Sequence, residues 1–299
     1  MPGILEFMVT PFVACLLLIG ITVYFGIHVI KREIIFLDIA LAQIAALGSV
    51  VALVILELDH GQEGHLHDST GNGFIPYLFS IIFCTIAAYF FTLLKNRTIR
   101  IPLEAVIGIA YAVATTGAVI ILDKAAGGDV HIHDMLVGSI LWVTWDKVIK
   151  FFIVIALIGG FHYAFQKKFF ALTDNYLSGL NGLKNPKIWD FLFYFTFSVV
   201  IVEAVRIGGI LTVFAFLIIP ASISALFAHR WLYRILIGLV LGFFVTFFGL
   251  YLSWVMDVPS SPVLIFFLGI FLMIALALKA ITRPPTRQDS RPGISSRYE

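Results

Sequence analysis

Successive apolar runs of membrane-crossing length, broken only by short polar stretches, constrain this chain more than any other feature. They fall at about residues 8–30, 34–57, 74–94, 102–122, 146–166, 188–206, 208–228, 232–256 and 261–281. About 20 apolar residues in a helix span the hydrocarbon layer, where only helices and closed barrels satisfy every backbone polar group. Runs this long read as helices. Charged residues make up 13% of the chain and hydrophobic ones 60%, with a mean hydropathy of +1.01. An ordinary soluble domain is about a quarter charged, so a soluble enzyme, a secreted disulfide scaffold and a disordered tail are all excluded. The expected fold is all-α: a polytopic transmembrane helical bundle over residues 1–282. It has eight or nine spans, according to whether 188–228 is one broken unit or two helices. No Lys or Arg precedes the first run and no small-residue cleavage site follows it, so it reads as a retained span. Cys15 and Cys84 lie inside apolar runs and read as buried free thiols.

The charges give the bundle an orientation. Lys31/Arg32, Lys95/Arg97/Arg100, Lys167/Lys168/Lys184/Lys187, Arg230/Arg234 and Lys279 with the tail arginines occupy every second break. The intervening breaks hold Glu57, Asp59, Glu63, Asp68, Asp123, Asp129, Asp134 and Asp257. Of the 20 Lys and Arg, only Lys124, Lys147, Lys150 and Arg206 depart from the first set. The positive-inside rule then puts the N-terminus outside and the C-terminus in the cytoplasm. The stretch 134–166 is too long for one crossing, at about 48 Å of helix. Thr144-Trp145-Asp146 supplies cap residues and an interfacial aromatic within it. A short helix at about 134–142 on the outer face is therefore expected, followed by a span from about 146. The loop 167–187 pairs lysines with an apolar stripe at Phe169, Phe170, Leu172, Tyr176, Leu177 and Leu180, as a surface amphipathic helix would. The tail 283–299 has a disordered composition.

The most specific motif is a repeated tetrapeptide, His65-Leu66-His67-Asp68 and His131-Ile132-His133-Asp134, both copies on the expected outer side. In an extended segment His-x-His points both imidazoles to one face, and an adjacent Asp can ligate or orient. Asp59, His60 and Glu63 thicken the first cluster, in the His-rich loop 57–73. Five of the eight histidines lie in these two loops. Imidazole with carboxylate suits zinc first, then manganese, iron and nickel; a polar loop that merely contains histidines is the plain alternative. Within the spans, Asp38 and Gln43 are pathway candidates, a carboxylate at membrane depth being a functional hypothesis by default. A salt bridge from Asp38 to a cytoplasmic-side Lys or Arg is the competing reading. Glu104 lies four residues after Arg100 on one helix face, an interfacial ion-pair spacing. Glu203 and Arg206, three apart, are expected to neutralise each other. His28 and His162 read as core or interfacial histidines. Gly238 and Gly242 form a small-residue stripe suited to close helix packing, within the chain or between protomers. No GxxxxGK[ST] motif and no nucleophile–base spacing occur.

Five blocks in order resemble the membrane permeases of bacterial ATP-binding-cassette importers for zinc, manganese and iron, the ABC-3 metal permeases. They are GIHVIKREIIFLDIALAQIAALG at 26–48, LEAVIGIAYAVATTGAVI at 103–120, DMLVGSILWVTWDKV at 134–148, IGGILTVFAFLIIPASISALFA at 207–228 and DVPSSP at 257–262. The resemblance implies a homodimer in the bacterial inner membrane, two cytoplasmic ATPase subunits and an extracytoplasmic metal-binding protein. It implies Zn2+, or Mn2+ or Fe2+, as transported substrate, no permanently bound cofactor, no nucleic acid and no enzymatic activity of this chain's own. It also suggests that the helix in 167–187 contacts the ATPase, through Asp174, Asn175, Leu177 and Gly179. On the second span the family usually has an Asp four residues before a His. Here Gln43 takes the His position and Asp38 lies five residues earlier, about 140° around the helix. Selection then rests more on the outer loops. A stand-alone metal carrier and a membrane metal sensor using those loops are the alternatives.

Overall fold

A computed structural model describes residues 4–59, 73–95, 101–122, 140–176 and 185–282. Among these the chain forms α-helices α1 (Ile4–Lys31), α2 (Leu37–Asp59), α3 (Phe74–Lys95), α4 (Leu103–Leu122), α5 (Trp145–Ala164) and α6 (Gln166–Asp174). Then follow α7 (Pro186–Gly208), α8 (Ile210–Phe227), α9 (Trp231–Met256) and α10 (Ser260–Thr282). A 3-10 turn, Ile140–Trp142, precedes α5. No strand occurs among the described residues. All the helices but α6 are long and apolar enough to cross a membrane, which makes nine among the described residues. Of the outer helix expected over 134–142, residues 134–139 lie outside the described residues, as do 60–72 and 283–299.

One residue decides between eight spans and nine. Gly209 separates α7 from α8 at φ 76° and ψ 161°, a combination essentially confined to glycine. Its N–H closes α7 on the Val205 carbonyl at 2.8 Å. The chain therefore ends one helix and starts the next across a single position. Pro186 opens α7 in the first turn, where its missing N–H is harmless. Asp257, left-handed at φ 52°, ends α9, and the Ser253 hydroxyl donates to Val258 O at 2.7 Å across the turn.

Helix α1 forms the middle of the fold. Its apolar window is 67% buried against 17% for α5 and α10, and it packs on α8 and α9, while α2 packs on α3 and α4. Close approach is made by glycine. A Cβ at Gly26 would run into the Leu217 carbonyl oxygen of α8, and one at Gly48 would lie 2.8 Å from Phe79 O of α3. The Gly238/Gly242 stripe is used inside the chain: it faces Val23 and Ile19 of α1. Cys15 and Cys84 are free and buried.

Helix α6 differs from the rest. It leaves α5 after Phe165 alone and buries Phe169, Leu172 and Thr173, while Lys167, Lys168, Asp174 and Asn175 lie nearer the surface. That division follows from its sequence, whose apolar residues recur three apart.

Candidate functional site

Elements distant in sequence converge at the end of the bundle that carries Lys31 and Lys95. Asp190, in the second turn of α7, has no exposed side-chain surface and receives two cations. Arg32 Nη1 donates to Oδ1 at 3.3 Å, and Lys95 Nζ to Oδ2 at 2.6 Å. Arg32 lies in the turn between α1 and α2, its guanidinium 3.6 Å from the Phe193 ring centroid. Its Nε donates to Thr173 Oγ1 of α6 at 2.9 Å. The same hydroxyl sits 2.7 Å from His28 Nδ1, so one threonine joins α6 to two residues of the α1 end. Nearer the surface, Lys31 bonds Asp174 at 2.6 Å, and Trp231 of α9 donates to the other Asp174 oxygen at 3.5 Å.

Burial lowers the Arg32 pKa from its ordinary value, and the Asp190 carboxylate is the strongest influence raising it again. Burial likewise pushes the Tyr176 hydroxyl up to about 12, against the hydrogen bond from Tyr194. Tyr176 is thus a neutral hydroxyl, 2.8 Å from that of Tyr194, with Lys95 3.5 Å from its ring centroid. A second buried histidine stands one layer deeper. His162 stacks on Phe169 at 3.9 Å, with Nδ1 2.9 Å from the Tyr24 hydroxyl and Nε2 2.8 Å from Thr196 Oγ1. Thr196 spends its own proton on Leu192 O, so His162 donates from Nε2 and accepts from Tyr24 at Nδ1. Both histidines are structural members of the core. The assembly holds charges and hydroxyls in fixed pairs. Its evident capacity is mechanical: it fastens α6 to α1, and through Asp190 it fastens α1 to α3 and α7.

Of the pathway candidates, Asp38 stands in the first turn of α2, just past the turn that carries Arg32, and Gln43 lies further along the same helix. Asp38 and Gln43 on α2 are 2% and 3% exposed, so both are buried in the protein. Asp38 Oδ1 makes no hydrogen bond, and no Lys or Arg forms a salt bridge with Asp38 among the described residues. The counter-ion reading of Asp38 thus finds no partner there. Glu104 is half-buried on α4; its expected partner Arg100 lies outside the described residues. So do His60, His65, His67, Asp68, His131, His133, Asp134, Leu177 and Gly179. Among the described residues, no three His, Cys, Asp or Glu gather as a metal site.

Residues 4–279 match the ABC 3 transport family. The chain belongs to that family. It is 24% identical over 177 residues to the "Probable metal transport system membrane protein" of Chlamydia muridarum. It is 28% identical over 184 residues to the manganese transport system membrane protein MntC of Listeria monocytogenes. These matches cover 59% and 60% of this chain, and 60% and 64% of the two relatives, under two thirds of either. Its fold is similar to that of PsaBC from Streptococcus pneumoniae, solved in complex with Fab. The TM-score is 0.71 at 19% identity, over 90% of this chain and 91% of that one.

Within this ABC 3 chain the residue that sequence reasoning missed is Asp190. Arg32 and Lys95 were legible only as markers of sidedness, and Asp190 drew no attention because its partners lie 158 and 95 positions away. One local signal was available. An Asp in the second turn of an otherwise apolar span is expensive unless paired, and the same rule had already singled out Asp38.

Proposed function

We propose that this chain is the membrane permease subunit of an ATP-driven importer of a divalent transition metal. The observation that carries the reading is the match to the ABC 3 transport family across nearly the whole chain, together with relatives named for metal and manganese transport. Two copies form the pathway in the bacterial inner membrane, with the N-terminus outside, the C-terminus in the cytoplasm and residues 1–282 as the permease domain. Separate cytoplasmic subunits hydrolyse ATP, and an extracytoplasmic binding protein delivers the ion. Helix α6 is the natural receiver of the ATPase stroke. Asp174 and Asn175 are exposed on it, Leu177 and Gly179 follow, and its Thr173 and Asp174 bonds to Arg32 and Lys31 would carry displacement into α1.

The metal enters as substrate. The histidine loops at 57–73 and 131–134 capture it loosely before it passes between protomers along Asp38, Gln43 and Glu104. An amide is a poor transition-metal ligand, so the loops carry more of the selection, and their imidazoles favour zinc. Manganese is the second reading, favoured by the Listeria relative's name.

Purification from the native membrane should recover ATPase subunits with this chain, and uptake by the reconstituted complex should stop when ATP is depleted. Uptake by this chain alone, indifferent to ATP, would sink the proposal in favour of a stand-alone carrier. Changing His65, His67, His131 and His133 together to Ala should raise the zinc concentration needed for half-maximal uptake roughly tenfold, leaving the maximal rate in place. An unaltered concentration dependence would show the loops to be merely polar. Zinc and manganese are separated by competition at limiting metal: the true cargo suppresses uptake of the other.

A further inference from the structure

At the opposite end of the bundle a cleft of about 520 Å³ opens between the start of α3, the first turns of α5 and the end of α7. Its polar lining is Asp146, Lys147, Lys150, Glu203 and Arg206, and Phe74, Ile153, Val154 and Ile207 line its apolar part. Both acids are already engaged by the protein. The Thr144 hydroxyl bonds Asp146, and Glu203 faces the Tyr77 hydroxyl and the Arg206 guanidinium. Lys150 acts on the Asp146 carboxylate from one turn further along α5, and Lys147 forms no salt bridge among the described residues. Among the described lining residues, three cations stand against two carboxylates. Two lysines in the first turns of a helix also oppose its dipole, which favours anions there.

The depth of the cleft identifies what it meets. Trp142 and Trp145, just ahead of Asp146 in the chain, are 75% and 50% exposed, as aromatics at a membrane–water interface are. Further along α5 the exposed residues are Ile149, Phe152 and Ile153, a lipid-facing surface. The volume lies in the range of small-ligand sites. We propose that this cleft binds the phosphodiester headgroup of an anionic phospholipid. Lys147 and Lys150 hold the phosphate, Arg206 forms the inner wall, and the glycerol and upper acyl chain lie on Ile153, Val154 and Phe74. The assignment stands independently of the transport reading.

The test is lipid retention by the purified full-length chain in neutral detergent, titrated with phosphatidylglycerol or phosphatidylcholine and read by native mass spectrometry. Phosphatidylglycerol should be retained and phosphatidylcholine should not. Lys147→Gln with Lys150→Gln should raise the half-saturating lipid concentration roughly tenfold or more. Lys147→Arg with Lys150→Arg should keep binding, which separates lost charge from lost fold. Lys167→Gln with Lys168→Gln, at the other end of the bundle, should change nothing. Equal retention of both lipids, or an equal loss in the two Gln pairs, would overturn the proposal. So would displacement of the lipid by millimolar inorganic phosphate, which would mark a free-anion site, or by polyglutamate, which would mark an acidic protein's site.

Discussion

Asp190→Asn should destabilise the folded chain by about 3–5 kcal/mol, the cost of stripping one partner from a buried ion pair. The side chains of Arg32 and Asp190 are both 0% exposed, and that of Lys95 is 12% exposed. Without the carboxylate, two cations face one another, and Arg32 has no exposed surface from which to reach water. The effect should appear as a large drop in thermal midpoint in detergent and in the amount of folded protein recovered from membranes. Replacing all three groups together, Arg32→Met, Lys95→Met and Asp190→Leu, should restore much of the loss, because an apolar cluster of similar volume has no charge to desolvate. An Asp190→Asn protein that melts with the wild type would show that the network contributes nothing to stability. The compensated triple variant has a second use. If it folds but no longer couples ATP hydrolysis to uptake, the charges serve movement as well as stability.

The second large effect is expected at Gly26. A side chain there would collide with the Leu217 carbonyl oxygen, and its Cβ would lie 3.0 Å from that of Ala221. Neither atom can rotate away, so Gly26→Val must push α1 off α8 and should cost about 3 kcal/mol or more. Gly242→Ala is the informative comparison. It adds a single methyl, and what that methyl meets is the Ile19 side chain rather than backbone, so its cost should be smaller. Gly20 lies on the same helix as Gly26, and a Cβ added there would meet nothing within 4 Å. Gly20→Ala should therefore be neutral or favourable by up to about 1 kcal/mol. The three thermal midpoints should fall in the order Gly26→Val, Gly242→Ala, Gly20→Ala, lowest first. Equal midpoints would mean that the helices are not in the close contact described.

Much of the fold was legible because membrane spans announce themselves by composition and length. The helix bounds fall within a few residues of the apolar runs, since charged or turn-forming residues stop a helix and a hydrophobic run at the same place. The amphipathic character of α6 was legible for a similar reason: Phe169 and Leu172 recur at helical spacing between lysines. The partner of the Gly238/Gly242 stripe was not legible. Small residues state that something approaches closely, and only the fold says that it is Val23 and Ile19 of α1. Asp38 shows a third case. The sequence put it at membrane depth, whereas the structure places it in the first turn of α2, and whether a cation would meet it depended on which helices surround α2.

The linear sequence thus determined the number of apolar helices to within one and the alternation of charge between breaks, because both are local properties of composition. Tertiary structure decided which helix lies at the centre and that Gly209 makes two spans where one broken unit was possible. It also decided that Arg32, Lys95 and Asp190 form one site. The physical reason is the same in each case. Lipid-facing and protein-facing apolar residues look alike along the chain, and a charge reveals its counter-ion only when helices far apart in sequence are brought within a few ångströms.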